Sequence, residues 1–481
     1  MALRPLALQK DINRERIVNL QKKINYIQVT KKKWILLVLF ILLVAGWFKF
    51  FYKTWTNESV PENADCIIAL DVKKITNTLI WNFITTPAQW KSGDWFSSSE
   101  EGKVSWDDMI SLPDYVFLFH LPGEPDNAFY TVVEINDKKD FEKGLMQYGF
   151  EKTATGSFIS KETGIEFIRN GDQLLVGNAA IWDKTNLQKA AAALFVQKEV
   201  IGKSWLKNLI KEKSHFALSG MLFAGSHIFA GHYDMKANFD DESLHISVDL
   251  GIKAVEFFHS YKFSYSDTSM LSFGLTQPYN GFGAYDHQSA WQGISNVFNF
   301  SIDSLLLRTN KHYQLDVTGI YPRTDSAISY SYDDNFNLVE KVIVNKVEEP
   351  VFNFTVTGDS VYNIYDYWNR NDKLEKSGDS SLFTPIPFAR AYCSLQSKDT
   401  LTIATNNYTK TAHNKTIRSI MFLRFVLTKA PPSLLNYLSP EIAKLLKNIE
   451  SVEAVMTAQK GQSILDIQFN KKKNDQPLIS F

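Results

Sequence analysis

The sequence predicts an α+β protein, in which an N-terminal transmembrane helix precedes two similar antiparallel-sheet modules with helices packed on one face. Three observations predict this class: an apolar run near the N-terminus, strand patterns that alternate with period two, and a stretch that occurs twice. The stretch reads "IEFIRNGDQLLVG" at residues 165–177 and returns in altered form as "YCSLQSKDTLTIA" at residues 392–404. Both copies have the pattern of a β-hairpin. Since hairpins are common, the flanks of the two copies decide whether the chain contains a tandem duplication.

Length and composition indicate a folded protein of two or three domains. The chain has 481 residues, of which 44% are apolar and 22% are charged. Its 52 basic residues balance 52 acidic ones, which argues against nucleic acid as a partner because such a protein needs a basic face. The aromatic content of 14% favours sheets, on which flat rings pack well.

Residues 34–52 predict a single membrane-spanning helix. This run contains one charged residue, Lys49, near its end, and at 1.5 Å per residue it crosses a hydrocarbon layer of about 30 Å. Nine Lys or Arg residues in the first 33 positions predict that the N-terminus stays in the cytoplasm. We therefore expect a single-pass signal anchor in the inner (plasma) membrane, with the bulk of the chain extracytoplasmic, that is periplasmic. A cleaved signal peptide is the alternative.

The basic cytoplasmic segment, residues 1–33, contains an amphipathic helix pattern. Ile17, Leu20, Ile24 and Ile27 recur at spacings of three and four among polar and basic residues, which places them on one helix face. Such a helix lies on an anionic membrane surface or pairs with a partner helix. The alternative is a simple extension of the membrane helix.

The flanks of the repeated stretch support a duplication. Residues 129–150 predict a strand and then a helix, and residues 352–372 predict the same order upstream of the second copy. Downstream, residues 203–210 and 431–438 both have helical patterns. We therefore expect a first α+β module at residues 58–262 and a second at residues 263–481. The junction lacks a Pro/Gly-rich linker, which favours close packing of the modules.

The two cysteines, Cys66 and Cys393, both lie in runs with strand patterns. Two cysteines do not make a disulfide-stapled scaffold. Buried free thiols are the expected state, and a single long-range bridge between them is the alternative.

The sequence contains no nucleotide-binding loop, no zinc-protease helix, no nucleophile elbow and no C-x-x-C pair, and so predicts no catalytic residues and no cofactor. Its best metal-binding candidates are His227, His232 and Asp234. The two histidines are five apart, which places them on opposite faces of a strand. A metal site needs a bend between them, which Gly231 permits, and ordinary sheet or loop histidines are the default interpretation.

Four tryptophans cluster near aspartates in the first module: Trp81, Trp90, Trp95 and Trp106. Indole rings beside carboxylates stack on sugar rings in many glycan sites. They also anchor loops onto a core and form the centres of protein interfaces. The cluster therefore predicts packing, a partner contact or a glycan site, in that order of preference.

The stretch "SVPENADCIIALDVKKI", residues 59–75, resembles the start of certain bacterial envelope proteins of unknown function with an N-terminal signal anchor. The matching residues are Pro61, Ala64, an apolar strand at 67–72 containing Asp71, and a helix from about Lys73. The resemblance covers mainly residues 31–80 and the overall layout. It implies an envelope location and a similar fold, and it implies no activity.

These patterns together predict a non-enzymatic, membrane-anchored periplasmic protein that acts by protein–protein interaction or in envelope assembly. Its expected partners are the membrane and an envelope protein, whereas a small-molecule ligand stays open. The alternative function is a binder or hydrolase of an envelope glycan or lipid, held in a cleft between the two modules.

Overall fold

The computed structural model describes residues 40, 49–50, 52–86, 104–125, 128–154, 156–178, 184–222, 231–250, 260–276, 311–377, 380–386, 389–405, 415–431, 446–459 and 462–473. The chain forms two compact units, residues 1–55 and residues 56–481. All strands given below belong to the second unit.

The first half of the second unit begins with a strand whose last residue caps a helix: the carboxylate of Asp71 accepts a hydrogen bond from the backbone N–H of Lys74 at 2.8 Å, as an N-cap does. Its strands are β1 (Cys66–Asp71), β2 (Ile110–Ser111), β3 (Tyr115–His120), β4 (Tyr130–Ile135), β5 (Phe150–Lys152), β6 (Phe158–Ser160), β7 (Ile165–Asn170), β8 (Gln173–Asn178), β9 (Phe216–Leu222), β10 (Gly231–Phe239) and β11 (Ser243–Asp249). Its helices are α1 (Val72–Thr85), α2 (Trp106–Met109), α3 (Lys138–Gln147), α4 (Lys184–Ala191) with a π-helical continuation (Ala192–Gln197), and α5 (Lys203–Ile210).

The second half contains two strands that are far longer than the others. Its strands are β12 (Tyr261–Tyr265), β13 (Leu271–Thr276), β14 (Lys311–Tyr332), β15 (Leu338–Gly358), β16 (Leu374–Ser377), β17 (Ser380–Phe383), β18 (Ala391–Ser397), β19 (Thr400–Thr405), β20 (Lys415–Ser419), β21 (Met421–Val426), β22 (Ile449–Gln459) and β23 (Gln462–Lys471). Among the described residues of this half, the helices are α6 (Val361–Arg370) and a 3₁₀ turn (Leu427–Lys429).

One antiparallel sheet runs through both halves. Its strand order is β5-β6-β7-β8-β4-β3-β1-β9-β10-β11-β23-β22-β21-β13-β14-β15-β19-β18-β17-β16, with β2 beside β4. The two strands β12 and β20 form a separate pair. The halves meet where β11 pairs with β23, residue Ser243 opposite Asn470 through Asp249 opposite Ile464.

The two halves have the same pairing order, position by position, when each is followed outward from the β11–β23 ladder. The repeated hairpins occupy equivalent places: β7 and β8 lie outside β4, and β18 and β19 lie outside β15. The helices α3 and α6 also follow equivalent strands, β4 and β15. The boundary between the predicted modules, near residue 262, stays a prediction.

Two apolar cores lie near the two ends of the sheet. At one end Phe141 and Leu145, one turn apart on α3, pack against Val133 and Leu174 of the sheet. At the other end Ile364 and Trp368 of α6 pack against β15, β18 and β19. In both places the helix covers the sheet because its apolar stripe needs burial.

The prediction of an α+β protein with helices on one face of two modules is wrong. Of the residues that the structure describes, 53% lie in strands and 20% in helices, and apart from the β12–β20 pair the strands of both halves join in one large antiparallel sheet. Helices lie on both of its faces. Leu187 of α4 lies against Gly177 beside Tyr130, on the face opposite α3. The physical reason is that the last strand of each half pairs with its counterpart, so neither half closes as a separate module.

The predicted anchor is also corrected. In the part of the chain that the structure describes, no helix has the length and apolar character needed to cross a membrane. The longest helix with described bounds, α1, has 14 residues, about 21 Å at 1.5 Å per residue against a layer of about 30 Å. Most of residues 34–52, on which the prediction depended, lie outside the described residues. The predictions of a single-pass transmembrane signal anchor, of the membrane as a partner, and of an inner-membrane location with a periplasmic bulk are therefore wrong.

Candidate functional site: an exposed β-arm

The long strands β14 and β15 continue beyond the sheet as a two-stranded ribbon. β13 pairs with β14 only as far as Val317, and β19 pairs with β15 only at residues 353–357. From Gly319, opposite Val351, to the turn at residues 333–337, the pairing described for these strands is with each other. We call residues 319–351 the arm. It begins at a register shift between Val317 and Gly319, an irregularity of the kind that re-aims a strand.

One face of the outer part of the arm is mostly apolar, with Glu340 opposite Tyr330 as its polar member, and no second layer of the described structure covers this face. The register places Ile328 opposite Val342 and Tyr332 opposite Leu338, and directly opposed residues share a face. Six large side chains on this face are exposed: Ile328, Tyr330, Tyr332, Leu338, Val342 and Val344. Tyr332 is 69% exposed. Contiguous exposed apolar surface of this kind marks an interaction site in soluble proteins.

The tip of the arm is a turn held by one carboxylate. Oδ1 of Asp333 accepts hydrogen bonds from the backbone N–H groups of Asn335 at 2.9 Å and Asn337 at 2.8 Å, and Oδ2 accepts one from the Asn337 side chain at 3.2 Å. These hydrogen bonds from Asn337 and Asn335 lower the pKa of Asp333. The turn holds Phe336 at a positive φ of 62° with 85% of its surface exposed.

At the end of the arm nearest the sheet, an ion cluster that includes a buried carboxylate stabilises the ribbon. Arg323 Nη2 lies 2.7 Å from Asp325 Oδ2, and Arg323 Nε lies 3.6 Å from Glu349 Oε2. Glu349, only 4% exposed, also accepts a hydrogen bond from the backbone N–H of Arg390 at 2.6 Å. Because Arg390 precedes β18, these contacts connect the arm to the body of the sheet.

The predicted tryptophan cluster is only partly within the described residues. Trp81 lies on α1 and is 65% exposed. Trp106 begins α2 and stacks on Tyr148, with ring centroids 4.7 Å apart. Trp90 and Trp95 lie outside the described residues. The roles proposed for these residues, and with them the glycan cleft, stay predictions.

Of the three predicted metal ligands, two lie within the described residues, His232 and Asp234. His232 Nε2 on β10 lies 3.5 Å from Asp234 Oδ1 and 3.2 Å from Ser219 Oγ, so it belongs to a small surface network. His227 lies outside the described residues. Within the ranges that the structure describes, no three His, Cys, Asp or Glu side chains converge as metal ligands would.

Both cysteines are free and buried. Burial raises the pKa of the Cys66 thiol to about 12, with a smaller contribution from Asp65. Burial alone raises the pKa of the Cys393 thiol to about 12. A thiol with so high a pKa has little thiolate at neutral pH and is a poor nucleophile.

The arm was not identified as a functional element from the sequence. Two stretches along β14, "HYQLDVTGIY" at residues 312–321 and "SAISYSYDD" at residues 326–334, alternate with period two, which predicts a strand of a half-solvated sheet. The signal that identifies it is length. From Lys311 to Tyr332 the strand continues for 22 residues, far beyond the ordinary strand length of about five or six.

Comparisons with known proteins provide no functional assignment. No family model matches the chain, and no curated protein matches it. A solved structure titled "Structure of crystal form I of TP0453" is similar to this chain with a TM-score of 0.20 and 9% sequence identity, over 76% of this chain and 94% of that one. A similarity at this level carries no argument about fold or function.

Proposed function

We propose that this chain is a non-enzymatic binding protein that engages a protein partner through its arm. The observation that carries the proposal is the row of large apolar side chains on a ribbon that projects from the sheet. Folding buries such side chains when it can. Their exposure on a well-formed ribbon indicates a surface that becomes buried against another molecule.

The arm has the geometry of a docking element. Its two long edges carry backbone groups that pair with neither β13 nor β19, and such edges accept a further strand from a partner. The hydrogen bonds around Asp333 hold the tip in one conformation before binding, which reduces the entropy lost on association. Tyrosine and phenylalanine at the end of the arm are residue types enriched at the energetic centres of interfaces.

The charge of the arm specifies the kind of partner. Between residues 319 and 351 there are three basic and six acidic side chains. Two of the acidic side chains, Asp333 and Asp334, are exposed at the tip beside Phe336. Electrostatic complementarity therefore favours a partner with an apolar surface bordered by basic residues.

The test compares full-length variants for recovery of a stoichiometric partner after mild extraction. A photoreactive amino acid in place of Phe336 should cross-link to one protein. The double variant Tyr332→Ser/Leu338→Ser should lose that protein, whereas Tyr367→Ser should keep it, because Tyr367 is an exposed residue of α6 rather than of the arm. Recovery of the same protein by the arm variant, at the wild-type yield and with the fold intact, would overturn the proposal.

A further inference from the structure

The ladder of the arm determines which of its backbone groups point outward. At the tip, the backbone N–H of Asp333 donates to the carbonyl of Asn337 at 3.0 Å, so these two residues form a hydrogen-bonded pair. Hydrogen-bonded and non-hydrogen-bonded pairs alternate along an antiparallel ladder. The next pair, Tyr332 opposite Leu338, is therefore non-hydrogen-bonded, and its backbone N–H and C=O groups point away from the other strand. Every second pair toward the sheet repeats this arrangement.

The end of the arm nearest the sheet gives the same alternation. The carbonyl of Val317 accepts a hydrogen bond from the backbone N–H of Met270 at 2.8 Å, so Val317 directs its backbone away from β15. Val317 lies opposite Phe352, and the register shift brings Gly319 opposite Val351. Gly319 and Val351 are then a hydrogen-bonded pair, as counting from the tip also requires. The even-numbered residues of the arm therefore direct their backbone groups outward.

The two edges of the arm differ in how they are protected against a further strand. On β15 the outward positions include three charged side chains, Glu340, Lys346 and Glu348, and charges on an edge oppose strand addition. On β14, Pro322 has no N–H and ends the row of donors on the side of the sheet. Between Pro322 and the tip the outward positions are uncharged, and we call them the open edge: Thr324, Ser326, Ile328, Tyr330 and Tyr332.

The open edge is accessible along its whole length. All of its residues are exposed, and Ile328 is 63% exposed. Among the described residues, β14 pairs beyond Val317 only with β15. From Thr324 to Tyr332 the edge extends about 27 Å at about 3.4 Å per residue, which is long enough to pair with a complete strand.

The open edge selects its occupant by hydrogen bonding as well as by apolar contact. Its N–H and C=O groups point the same way, and an extended polypeptide backbone presents matching groups at the same spacing. The side chains of Ile328, Tyr330 and Tyr332 lie on the apolar face of the arm, so the residues opposite them in an added strand extend that face. The alternate residues of the added strand lie opposite Ser329 and Ser331 on the other face, where small polar side chains fit.

Charge distinguishes a foreign segment from a second copy of this chain. The arm carries three basic and six acidic side chains, so the arms of two copies repel each other. Asp333 and Asp334 are exposed at the tip, and they favour a basic residue in the occupant. The pattern that fits is therefore an extended segment of alternating apolar and small polar residues, with a basic residue at the end nearest the tip.

We propose that the open edge of β14 binds an extended segment of the partner protein as an added antiparallel strand. The inference rests on the proposed function of the arm and specifies the chemistry of its partner. Antiparallel addition continues the ladder of the arm and is slightly more stable per residue than parallel addition. The backbone of the segment pairs with the open edge, its apolar side chains continue the apolar face, and its basic end lies beside Asp333 and Asp334.

The probe is the peptide KVTVSVTVSV with fluorescein at its C-terminus, and fluorescence anisotropy measures its binding to the full chain. In antiparallel register its valines lie opposite the open edge and its lysine lies opposite Asp333. The wild type should bind this peptide saturably. Methyl groups on the backbone nitrogens of the two valines opposite Ile328 and Tyr330 remove donors to β14 and should weaken binding roughly tenfold or more. Methyl groups on the serine opposite Ser329 and the threonine opposite Ala327, whose N–H groups point away from β14, should leave binding within about twofold.

A pair of proline variants provides the matched control on the protein. Ile328 and Val342 lie directly opposite each other on the apolar face, are 63% and 62% exposed, and direct their N–H groups outward. Ile328→Pro removes a donor from the open edge and should weaken peptide binding roughly tenfold or more, whereas Val342→Pro removes one from the other edge and should leave binding within about twofold. Circular dichroism checks that both variants fold. If either does not, the methylated peptides test the same hydrogen bonds on the wild type.

Three results would overturn the inference. One is a folded wild type without saturable peptide binding. Another is equal weakening by the two methylation patterns, or by Ile328→Pro and Val342→Pro. The third is a wild-type dimer in light scattering that Ile328→Pro converts to a monomer, since a second copy then occupies the open edge.

Recovery of the cross-linked protein separates this inference from the arm proposal. If Tyr332→Ser/Leu338→Ser loses that protein and folded Ile328→Pro keeps it, the arm binds through its apolar face without strand addition, and only the present inference fails. If Tyr332→Ser/Leu338→Ser keeps the protein, the arm proposal itself fails.

Discussion

Ile246 on β11 lies directly opposite Ile467 on β23, in the ladder that joins the first half of the chain to the second. A sheet edge presents unpaired backbone groups and invites association with other chains. Each half would expose such an edge at its last strand. Their mutual pairing satisfies both edges and joins the two halves in one sheet, so we expect the halves to unfold as one cooperative unit.

The contribution of the β11–β23 ladder to stability can be tested by removing a backbone hydrogen-bond donor from β11. Ser247 lies in the interior of this strand, between Lys236 of β10 and Asp466 of β23. Ser247→Pro removes an N–H and disturbs the ladder, with an expected loss of about 3 kcal/mol or more of unfolding free energy. Ser247→Ala is the matched control and should change stability by about 0.5 kcal/mol or less. Urea unfolding followed by circular dichroism measures the unfolding free energy of both variants. A loss below about 1 kcal/mol in the proline variant would show that the β11–β23 ladder does not stabilise the sheet.

Trp368 provides a test of the core under α6. Its side chain is fully buried and its ring centroid lies 4.9 Å from that of Phe383. Trp368→Ala removes a large apolar surface and leaves a cavity, so unfolding free energy should fall by about 3–5 kcal/mol. The neighbouring Tyr367 points to solvent and is 48% exposed. Tyr367→Ala should cost about 0.5 kcal/mol or less in the same urea titration, and equal losses in both variants would show that the helix is packed differently.

The local parts of the fold were predictable from the sequence because their signals are local. Period-two alternation identified both repeated hairpins, and spacings of three and four placed Phe141 and Leu145 on one side of α3. The position of the turn did not follow from the local signal. An Asn-Gly pair such as Asn170-Gly171 favours a turn centred on those two residues, but Asn170 pairs with Gln173. Gly171 and Asp172 therefore form the loop, with a positive φ of 63° at Gly171.

The non-local parts of the fold were not predictable from periodicity. The pairing of Ile246 with Ile467 connects residues far apart in sequence, and alternation in β11 and β23 shows which side chains share a face but not which strand lies beside which. The arm was not predictable from the sequence for a related reason. Ile328 and Val342 alternate as a buried strand face would, and only the position of β14 beyond β13 shows that they are exposed.

The buried thiols predict a dependence of stability on alkaline pH. Burial raises the pKa of Cys66 and of Cys393 from the ordinary 9.0 to about 12. The folded state therefore holds these protons more tightly than the unfolded state, and the resulting stability is fully present below about pH 9 and lost as the pH rises toward 12. In Cys66→Ala/Cys393→Ala, unfolding free energy should fall less between pH 8 and pH 10.5 than in the wild type. An equal fall in both proteins would show that these thiols do not contribute.

The same burial predicts slow thiol chemistry. At pH 8 a thiol reagent should leave both cysteines of the native protein unmodified over a period in which the urea-unfolded chain reacts completely, because reaction requires the thiolate. Rapid modification of one cysteine in the native state would place that residue at the surface.

The last prediction concerns the tip of the arm. Asp333 accepts hydrogen bonds from Asn335 and Asn337, and these bonds hold Phe336 at its positive φ. Alanine at position 333 cannot accept them, so the turn should open more often. Because Phe336 is exposed and is a preferred site for chymotrypsin, Asp333→Ala should be cut at the tip several-fold faster than the wild type, as expected when cleavage follows the population of the open form.

The neighbouring carboxylate is the matched control for this test. Asp334 is exposed at the same turn, and no hydrogen bond to its side chain occurs among the described residues, so Asp334→Ala should be cut at the wild-type rate. The hydrogen bonds lower the pKa of Asp333, so they are present above its ordinary value of 3.8 and lost as the pH falls through the lowered value. Tip cleavage at neutral pH should therefore be slow in the wild type and in Asp334→Ala, and fast only in Asp333→Ala. If both variants were cut equally fast, loss of charge rather than loss of the hydrogen-bonded turn would explain the result, and the tip would not be preorganised for a partner.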